Sequence, residues 1–301
     1  MHKLITAACA VLITLCAATA ARAAALAPAP AAAESFDVGM LHVERFGSGP
    51  PVVLLPGLAS GAWTWNGVIP HLAASHAVYS VGLAGFSGRP APAGEVSFAR
   101  FDTDLSSLLA TRGIVRPALV GHSLGGTLAI AYAEAHPDRI ASVVAVDGLP
   151  VFPTAAQMSA AERTAMAGQI ATAVRGQTDE QFGAYQRQYM GSIGVSDAAL
   201  AQQIGTLSGQ SDRATVAAWL MADLGADLRP QLSAITVPFT EIAGWSSGEP
   251  YSEAQKAAFY RMLLTGAAKV NVVTIPGAKH FVMLDQPELF SAALDRALAA
   301  R

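Results

Sequence analysis

One serine in the sequence has the surroundings of a catalytic nucleophile. Ser123 is the central residue of the G-H-S-L-G sequence at 121–125, which separates a short apolar run at 118–120 from a helical pattern at 124–135. The glycines allow a sharp strand-to-helix turn that forces the serine side chain outward. The turn also leaves the N–H of Leu124 at a helix N-terminus, where the dipole favours negative charge. The pattern therefore indicates a nucleophile, and a serine that only caps the helix is the alternative.

A serine hydroxyl needs a neighbouring base at neutral pH, and histidine has the side-chain pKa best suited to that task. Of the seven histidines, His280 has the most suitable position, because it follows the apolar run 269–275 through a short Pro-Gly loop. Such a loop presents its side chains at the carboxyl end of a late strand. His136, in contrast, precedes Pro137 at the end of a helical pattern, where a helix-terminal role explains it.

Beyond Phe36, short β-branched runs alternate with longer helical patterns. The runs that predict buried strands are 51–55, 77–81, 118–120, 142–146, 237–242 and 269–275, and the helical patterns are 98–112, 124–135, 251–265 and 287–299. This alternation predicts an α/β fold with a mostly parallel, doubly wound sheet that is covered on both faces. The segments 37–46 and 51–55 are joined by G-S-G-P, which favours an antiparallel hairpin at the sheet edge.

Residues 150–230 interrupt the alternation with helical patterns rich in Ala, Gln and Met, and they contain no convincing strand. A helical insert between two strands predicts a cap over the carboxyl end of the sheet, where ligands bind in open α/β sheets. The predicted organisation is therefore a first core part at 36–149, a helical cap at 150–230 and a second core part at 231–301.

The N-terminus has the pattern of a secretory signal peptide over residues 1–23. Lys3 precedes an apolar stretch, and Ala-Arg-Ala at 21–23 suits cleavage. An uncleaved membrane anchor is the alternative. Residues 24–35 are an Ala/Pro linker that we expect to be disordered. The sequence thus predicts an exported protein, periplasmic or secreted, without membrane association after cleavage. Both cysteines lie in the signal segment, so a cysteine nucleophile is excluded from the mature chain.

Composition excludes several classes of function. The chain is 52% hydrophobic and only 14% charged, which is incompatible with a disordered protein. The net charge of −3 comes without long runs of either sign, so nucleic acid is not an expected partner. No metal-ligand cluster, dinucleotide-binding G-x-G-x-x-G or phosphate-binding loop occurs, so no metal and no cofactor is expected. The sequence carries no signal for an oligomeric state.

Together these segments resemble the α/β-hydrolase superfamily from Phe36 to the C-terminus. The similarity rests on V-V-L-L-P-G-L at 52–58, G-H-S-L-G-G at 121–126, A-H-P-D-R-I at 135–140, G-A-K-H-F at 277–281 and L-D-Q-P-E at 284–288. The resemblance implies that Ser123 is the nucleophile and His280 the base, and that the backbone N–H groups of Leu58 and Leu124 form the oxyanion hole. The chain departs from many members at Pro56 and Gly82, neither of which belongs to the catalytic set.

Two residues are candidates for the acid of a triad. The usual position in the superfamily is the loop after 237–242, which here offers Glu249 and no aspartate. Asp147 directly follows the run 142–146, and some capped members carry the acid there. An acid at this strand end would orient His280 and stabilise its imidazolium. We favour Asp147, with Glu249 as the alternative acid, and a simple turn residue is the other explanation of Asp147.

The resemblance implies an exported serine hydrolase of the carboxylesterase type, which acts on a small-molecule ester or acyl compound through an acyl-enzyme. A serine at position 123 excludes the superfamily's dehalogenases and epoxide hydrolases, which use aspartate. A C–C bond hydrolase or cofactor-free perhydrolase on the same triad, and a non-catalytic binding protein, are the alternatives. Candidate substrate-binding residues are Trp63, Trp65, Phe86 and Phe152, for which packing between cap and core is the rival explanation.

Overall fold

The computed structural model describes residues 25–300, and the predicted signal peptide at 1–23 lies outside the described residues. Eight strands form one sheet in the order β1-β2-β4-β3-β5-β6-β7-β8. Strands β3 to β8 are parallel to one another, and β2 runs antiparallel to both β1 and β4. The strands are β1 (Glu34–Val38), β2 (Leu41–Phe46), β3 (Pro51–Leu55), β4 (Ala77–Leu83), β5 (Ala118–His122), β6 (Ser142–Val146), β7 (Phe239–Trp245) and β8 (Val270–Pro276). The mostly parallel α/β sheet predicted from the sequence is confirmed.

Helices cover both faces of the sheet, which is why the central strands are apolar throughout. Side chains of α2, α3 and α8 pack on one face, and those of α1 and α10 pack on the other. The helices outside the cap are α1 (Ile69–Ala73), α2 (Phe98–Thr111), α3 (Leu124–Ala135), α8 (Glu253–Leu263), α9 (Val282–Asp285) and α10 (Pro287–Ala299), with a 3-10 turn at Ala62–Trp65. Further 3-10 turns lie near the two ends of the cap, at Pro153–Ala155 and Arg229–Ala234.

The segment 150–230 is helical, as its sequence pattern predicts. It contains α4 (Ala160–Gly176), α5 (Asp179–Tyr189), a π turn (Met190–Gly194), α6 (Ala198–Ser208) and α7 (Arg213–Gly225). Capping boxes start α4 and α5, because Ser159 and Thr178 each accept a hydrogen bond from the third helical residue. One bridge between Val151 and Asp227 joins the two ends of the segment. The cap is thus a nearly all-helical excursion that leaves the sheet after β6 and returns before β7.

The predicted hairpin between 37–46 and 51–55 is wrong. The first segment divides at Gly39, whose φ of 57° turns the chain so that β1 and β2 form the edge hairpin. Strand β3 lies instead between β4 and β5. The residues of β3 after Pro51 are fully buried, and such a strand is stable in the middle of a covered sheet rather than at its edge.

The Ala/Pro segment is also more ordered than expected. The N–H of Ala33 donates to the carbonyl of Arg45 at 2.8 Å, and β1 already begins at Glu34, inside the predicted linker. Leu26 packs against the core cluster that includes α10, and its N–H donates to Gln203 at 3.1 Å. Within residues 25–300 no helix is both long and apolar enough to cross a membrane.

Candidate active site

The turn between β5 and α3 presents Ser123 in a strained conformation. Its φ of 52° and ψ of −122° are unusual for a residue with a side chain. The Ser123 N–H donates to the carbonyl of Val146 at 2.9 Å, and its carbonyl accepts from Gly126 and Thr127 at 2.8 and 3.1 Å. Backbone bonds on both sides therefore hold the turn, and strain of this kind clusters at functional sites.

The glycines of the motif are needed because backbones touch around this turn. A Cβ at Gly121 would overlap the carbonyl of Gly125. A Cβ at Gly125 would lie 2.5 Å from the carbonyl oxygen of Leu55, and one at Gly126 would lie 2.8 Å from the Cα of Gly148. The start of α3 is therefore packed directly against the ends of β3 and β6.

The loop after β3 lies against the same turn. A Cβ at Gly57 would lie 2.8 Å from Nδ1 of His122 and 3.2 Å from Cβ of Ser123. Leu58 follows this glycine, and Leu124 is the first residue of α3. In the described part of the chain, neither the Leu58 nor the Leu124 N–H donates to another protein group. Two free backbone donors beside a serine are the elements of an oxyanion hole.

His280 and Asp147 meet at the carboxyl end of the sheet. The Nδ1 atom of His280 lies 3.2 Å from Oδ2 of Asp147, and the two side chains are only 17% and 6% exposed. The Asp147 N–H donates to the carbonyl of Ile242 at 3.0 Å, which fixes this residue, with a φ of 48°, at the end of β6. A carboxylate at Nδ1 keeps a proton on that nitrogen and leaves Nε2 free to accept one.

Tyr260 binds the second oxygen of the same carboxylate. Its hydroxyl donates to Oδ1 of Asp147 at 2.9 Å from the buried side of α8. Burial, followed by the charge of Asp147, raises the pKa of Tyr260 well above 10, so the phenol remains a donor. No motif in the sequence points to Tyr260 as a functional residue. Its only signal is its spacing with Ala257 and Leu263 on one helix face, which is equally typical of core packing.

Glu249, the alternative acid, faces a different partner. Its carboxylate lies 3.2 Å from Nζ of Lys256 and accepts the N–H of Ser246 at 2.9 Å. The structure therefore brings Asp147, and not Glu249, to His280.

The loop that carries His280 is bound to the cap by its backbone. The N–H groups of His280 and Phe281 donate to the carbonyls of Ile193 and Gly194 in the π turn, at 3.1 and 2.9 Å. The His280 carbonyl in turn accepts Nε2–H of His122 at 3.1 Å. Burial, and then the nearby His280, lowers the pKa of His122 well below 6.5, so this second imidazole is neutral and serves as a donor.

A carboxylate fixes the other side of this loop. Asp285 accepts the N–H of Lys279 at 2.8 Å and the N–H and hydroxyl of Ser196 at 2.8 and 3.1 Å. It therefore joins the histidine loop to the segment between the π turn and α6. Helix α10 begins after Gln286, so Asp285 does not cap it.

Ser123 and His280 border two adjoining cavities beneath the cap. The first has a volume of about 240 Å³ and is lined mainly by apolar side chains of α4 and α7; the second extends past Asp147 and Tyr260. Within the described residues, no hydrogen bond joins the Ser123 hydroxyl to His280. The residues that border both cavities are Ser123, Phe152, Thr154, Tyr189, Asp223 and His280.

Of the four aromatic residues proposed to bind substrate, only Phe152 borders these cavities. Trp65 and Phe86 are fully buried core residues, and Trp65 packs against Phe290 with ring centres 6.3 Å apart. Trp63 stacks on Phe281 at 5.8 Å and donates its indole N–H to Ser87 at 2.8 Å. The assignment of Trp63, Trp65 and Phe86 to substrate binding is therefore corrected, because their rings turn toward the core or toward the loop that carries His280.

Residues 25–300 contain no group of three or more His, Cys, Asp or Glu side chains arranged to hold a metal ion. The arrangement of Ser123, His280 and Asp147 uses only side chains and backbone donors. Its parts are those of nucleophilic acyl transfer by a hydroxyl that a base activates.

Comparisons with known proteins show which proteins this chain resembles. A model of the alpha/beta hydrolase family matches residues 52–293. A pimeloyl-[acyl-carrier protein] methyl ester esterase from Aeromonas hydrophila is 33% identical over 213 residues, which cover 68% of this chain and 80% of the relative. The crystal structure of an enol-lactonase from Burkholderia xenovorans LB400 superimposes with a TM-score of 0.72 at 22% identity, covering 88% of this chain and 100% of that one. A thermophilic esterase from Thermogutta terrifontis gives a TM-score of 0.72 at 21% identity, with coverages of 89% and 98%.

Proposed function

Because the chain belongs to the alpha/beta hydrolase family, we propose that it is an exported serine hydrolase that cleaves carboxylic esters of small molecules. The observation that carries the proposal is the arrangement at the carboxyl end of the sheet. Ser123 projects from a strained turn, and it borders the same cavities as His280, whose Nδ1 lies 3.2 Å from Asp147. The esterase relative supports the choice of an ester bond as the target.

In the proposed reaction, Nε2 of His280 takes the proton of the Ser123 hydroxyl while Oγ attacks the ester carbonyl carbon. The carbonyl oxygen becomes an oxyanion that accepts hydrogen bonds from the backbone N–H groups of Leu58 and Leu124. His280 then gives its proton to the alkoxide oxygen as the C–O bond breaks, and an acyl-enzyme remains. Water attacks this ester by the same route and frees the acid. Asp147 stabilises the imidazolium throughout without taking its proton.

This step needs a hydrogen bond between the Ser123 hydroxyl and Nε2 of His280, which is not formed among the described residues. Catalytic hydrogen bonds commonly tighten only when substrate is bound. Ser123 and His280 border a common cavity, and in the proposed mechanism rotation of the serine side chain to another staggered rotamer completes this hydrogen bond.

The test of nucleophile and enzyme class is covalent labelling. We expect a fluorophosphonate probe to label the mature wild-type protein at Ser123 and p-nitrophenyl esters to be hydrolysed, and both signals to vanish in Ser123→Ala. Wild-type protein that neither labels nor cleaves any ester of a chain-length series would refute the proposal and favour a binding protein. Labelling without ester cleavage would favour C–C bond hydrolysis or perhydrolysis on the same residues.

The acid is tested by a matched pair of variants. Asp147→Asn should lower kcat by about 10³-fold to 10⁴-fold, as loss of the orienting carboxylate does in serine proteases. Glu249→Gln removes a carboxylate that bonds Lys256 and the Ser246 N–H, and it should leave kcat within about twofold. Equal losses in the two variants would contradict the assignment.

Export rests on the signal-like pattern of residues 1–23. Expression with the natural N-terminus followed by fractionation should place a chain that starts near Ala24 outside the cytoplasm, as mass spectrometry of its first peptide would show. An intact N-terminus in the cytoplasmic fraction would refute export without affecting the catalytic proposal.

A further inference from the structure

Asp223 is the acidic side chain of the cap that faces the candidate site. It lies in the last turn of α7 and borders both cavities together with Ser123 and His280. The surrounding wall is largely apolar and includes Met166, Ile170 and Leu220. A carboxylate in such a wall is costly unless a partner compensates its charge.

The described part of the chain supplies no lysine or arginine that compensates this charge. No lysine or arginine borders either cavity, and Asp223 takes part in no ion pair within residues 25–300. The Thr127 hydroxyl favours its charged form, but burial outweighs this effect and raises the pKa of Asp223 to about 6. The C-terminal end of α7 adds negative potential at the same place. The site therefore has an unsatisfied preference for positive charge.

Aromatic rings line the same cavities as this carboxylate. Tyr189 borders both cavities with Asp223, and its hydroxyl feels the negative charges of Tyr185, Asp147 and Asp223, which add to the burial that raises its pKa to about 12. Tyr185 lies beside it, with ring centres 6.4 Å apart, and Phe152 also lines the wall. Phe152 and Tyr185 are 44% and 48% exposed, so they form the solvent side of the cavity. Aromatic faces attract alkylated ammonium groups, and a nearby carboxylate compensates their positive charge.

We propose that Asp223 and the neighbouring aromatic rings bind an alkylammonium group of the substrate, so that this hydrolase prefers esters with a positive charge. The inference rests on the proposed ester hydrolysis and deepens it by naming a substrate class. An alkylated ammonium suits the wall better than a guanidinium does, because Asp223 is the one carboxylate among the residues that line the first cavity, and the five N–H donors of a guanidinium need several acceptors.

The test uses pairs of esters that have the same shape and differ in charge. Butyrylcholine is compared with 3,3-dimethylbutyl butyrate, which places the charge on the alcohol side. Ethyl 4-(trimethylammonio)butanoate is compared with ethyl 5,5-dimethylhexanoate, which places it on the acyl side. For at least one pair, we expect wild-type kcat/KM to be about tenfold to 100-fold higher for the cationic ester at pH 7.5.

Two variants assign this selectivity to Asp223. Asp223→Asn keeps the size of the side chain and should bring the ratio of kcat/KM for the cationic ester to that for the neutral ester within about threefold of one. The variant should change kcat/KM of the neutral ester less than that of the cationic ester. Asp179→Asn removes the same charge from a cap side chain that is 94% exposed, and it should keep the wild-type ratio. If Asp223 is merely structural, Asp223→Asn will lower kcat/KM equally for the cationic and the neutral ester and leave their ratio unchanged. That result would overturn the proposal.

A binding measurement separates this inference from the catalytic one. Calorimetry with tetramethylammonium on Ser123→Ala protein requires no turnover. Binding that is lost in the Ser123→Ala/Asp223→Asn double variant supports the cation site even if ester hydrolysis fails. Equal affinity of the two proteins for tetramethylammonium, or no binding to either, overturns it.

Discussion

The clearest physical test of the cap carboxylate is the pH dependence of stability in Asp223→Asn. The folded state raises the pKa of Asp223 from 3.8 to about 6, chiefly by burial. A raised folded-state pKa means that the native protein holds this proton more tightly than the unfolded chain does. Its contribution is therefore most favourable below pH 4 and is lost as pH rises through about 6.

The size of this effect follows from the shift. A difference of about two pKa units corresponds to about 3 kcal/mol at neutral pH, of which about 2 kcal/mol develops between pH 4.5 and 7.5. Asparagine cannot ionise and avoids this cost. The free energy of unfolding of Asp223→Asn, relative to wild type, should therefore rise by about 2 kcal/mol across this range.

The assay is urea unfolding of both proteins at half-unit pH intervals. The other titratable groups that line the two cavities are His122, Asp147, Tyr185, Tyr189, Tyr260 and His280. They are present in both proteins, so their own titration cancels in the difference to first order. A relative stability that does not change with pH would refute the argument that burial leaves Asp223 uncompensated. Asp179→Asn serves as the flat reference, because its carboxylate is almost fully exposed.

Three further substitutions test how the site is held. Tyr260→Phe removes the donor to Asp147 and should lower kcat about tenfold with KM within about twofold in steady-state assays, and an unchanged kcat would contradict a positioning role. Asp285→Asn weakens the hydrogen bonds to Ser196 and to the histidine loop, so both kcat and Tm should fall. A fall in Tm with unchanged kcat would contradict a role of Asp285 in positioning His280. Glu241 is fully buried, and desolvation is the main cause that raises its pKa well above 4.5. The Tm of Glu241→Gln should therefore increase relative to that of wild type as pH rises from 5 to 9. Parallel curves of Tm against pH would show that Glu241 does not titrate in this range.

Local patterns in the sequence predict much of this fold. The bounds of β6, α3 and α10 follow from apolar runs and from turn residues at their ends. The position of Ser123 follows from glycines that only a tight turn requires. Asp147 and His280 follow β6 and β8, which lie two strands apart in a parallel sheet, so their carboxyl ends share one edge.

Non-local pairing explains where the sequence misleads. Strand β3 pairs with β4 and β5 rather than with the strand before it, and a Gly-rich linker carries no information about that choice. The directions of Trp65 and Phe86 depend on which empty volume in the core their rings fill. Asp223 is part of an amphipathic helix, and its orientation toward Ser123 is set only when the cap folds over the sheet.

Two different helical elements of the cap reach the site, and they contact it in different ways. The π turn holds the backbone of His280 and Phe281 through two hydrogen bonds, each worth about 0.5–1.5 kcal/mol. Helix α7 instead lines the cavity wall with Asp223, and it packs against α4. Side chains of α7 can therefore change the charge and shape of the cavity while the histidine keeps its supports. In this arrangement selectivity can be altered without loss of the catalytic geometry, because the group that recognises charge and the bonds that position the base do not share residues.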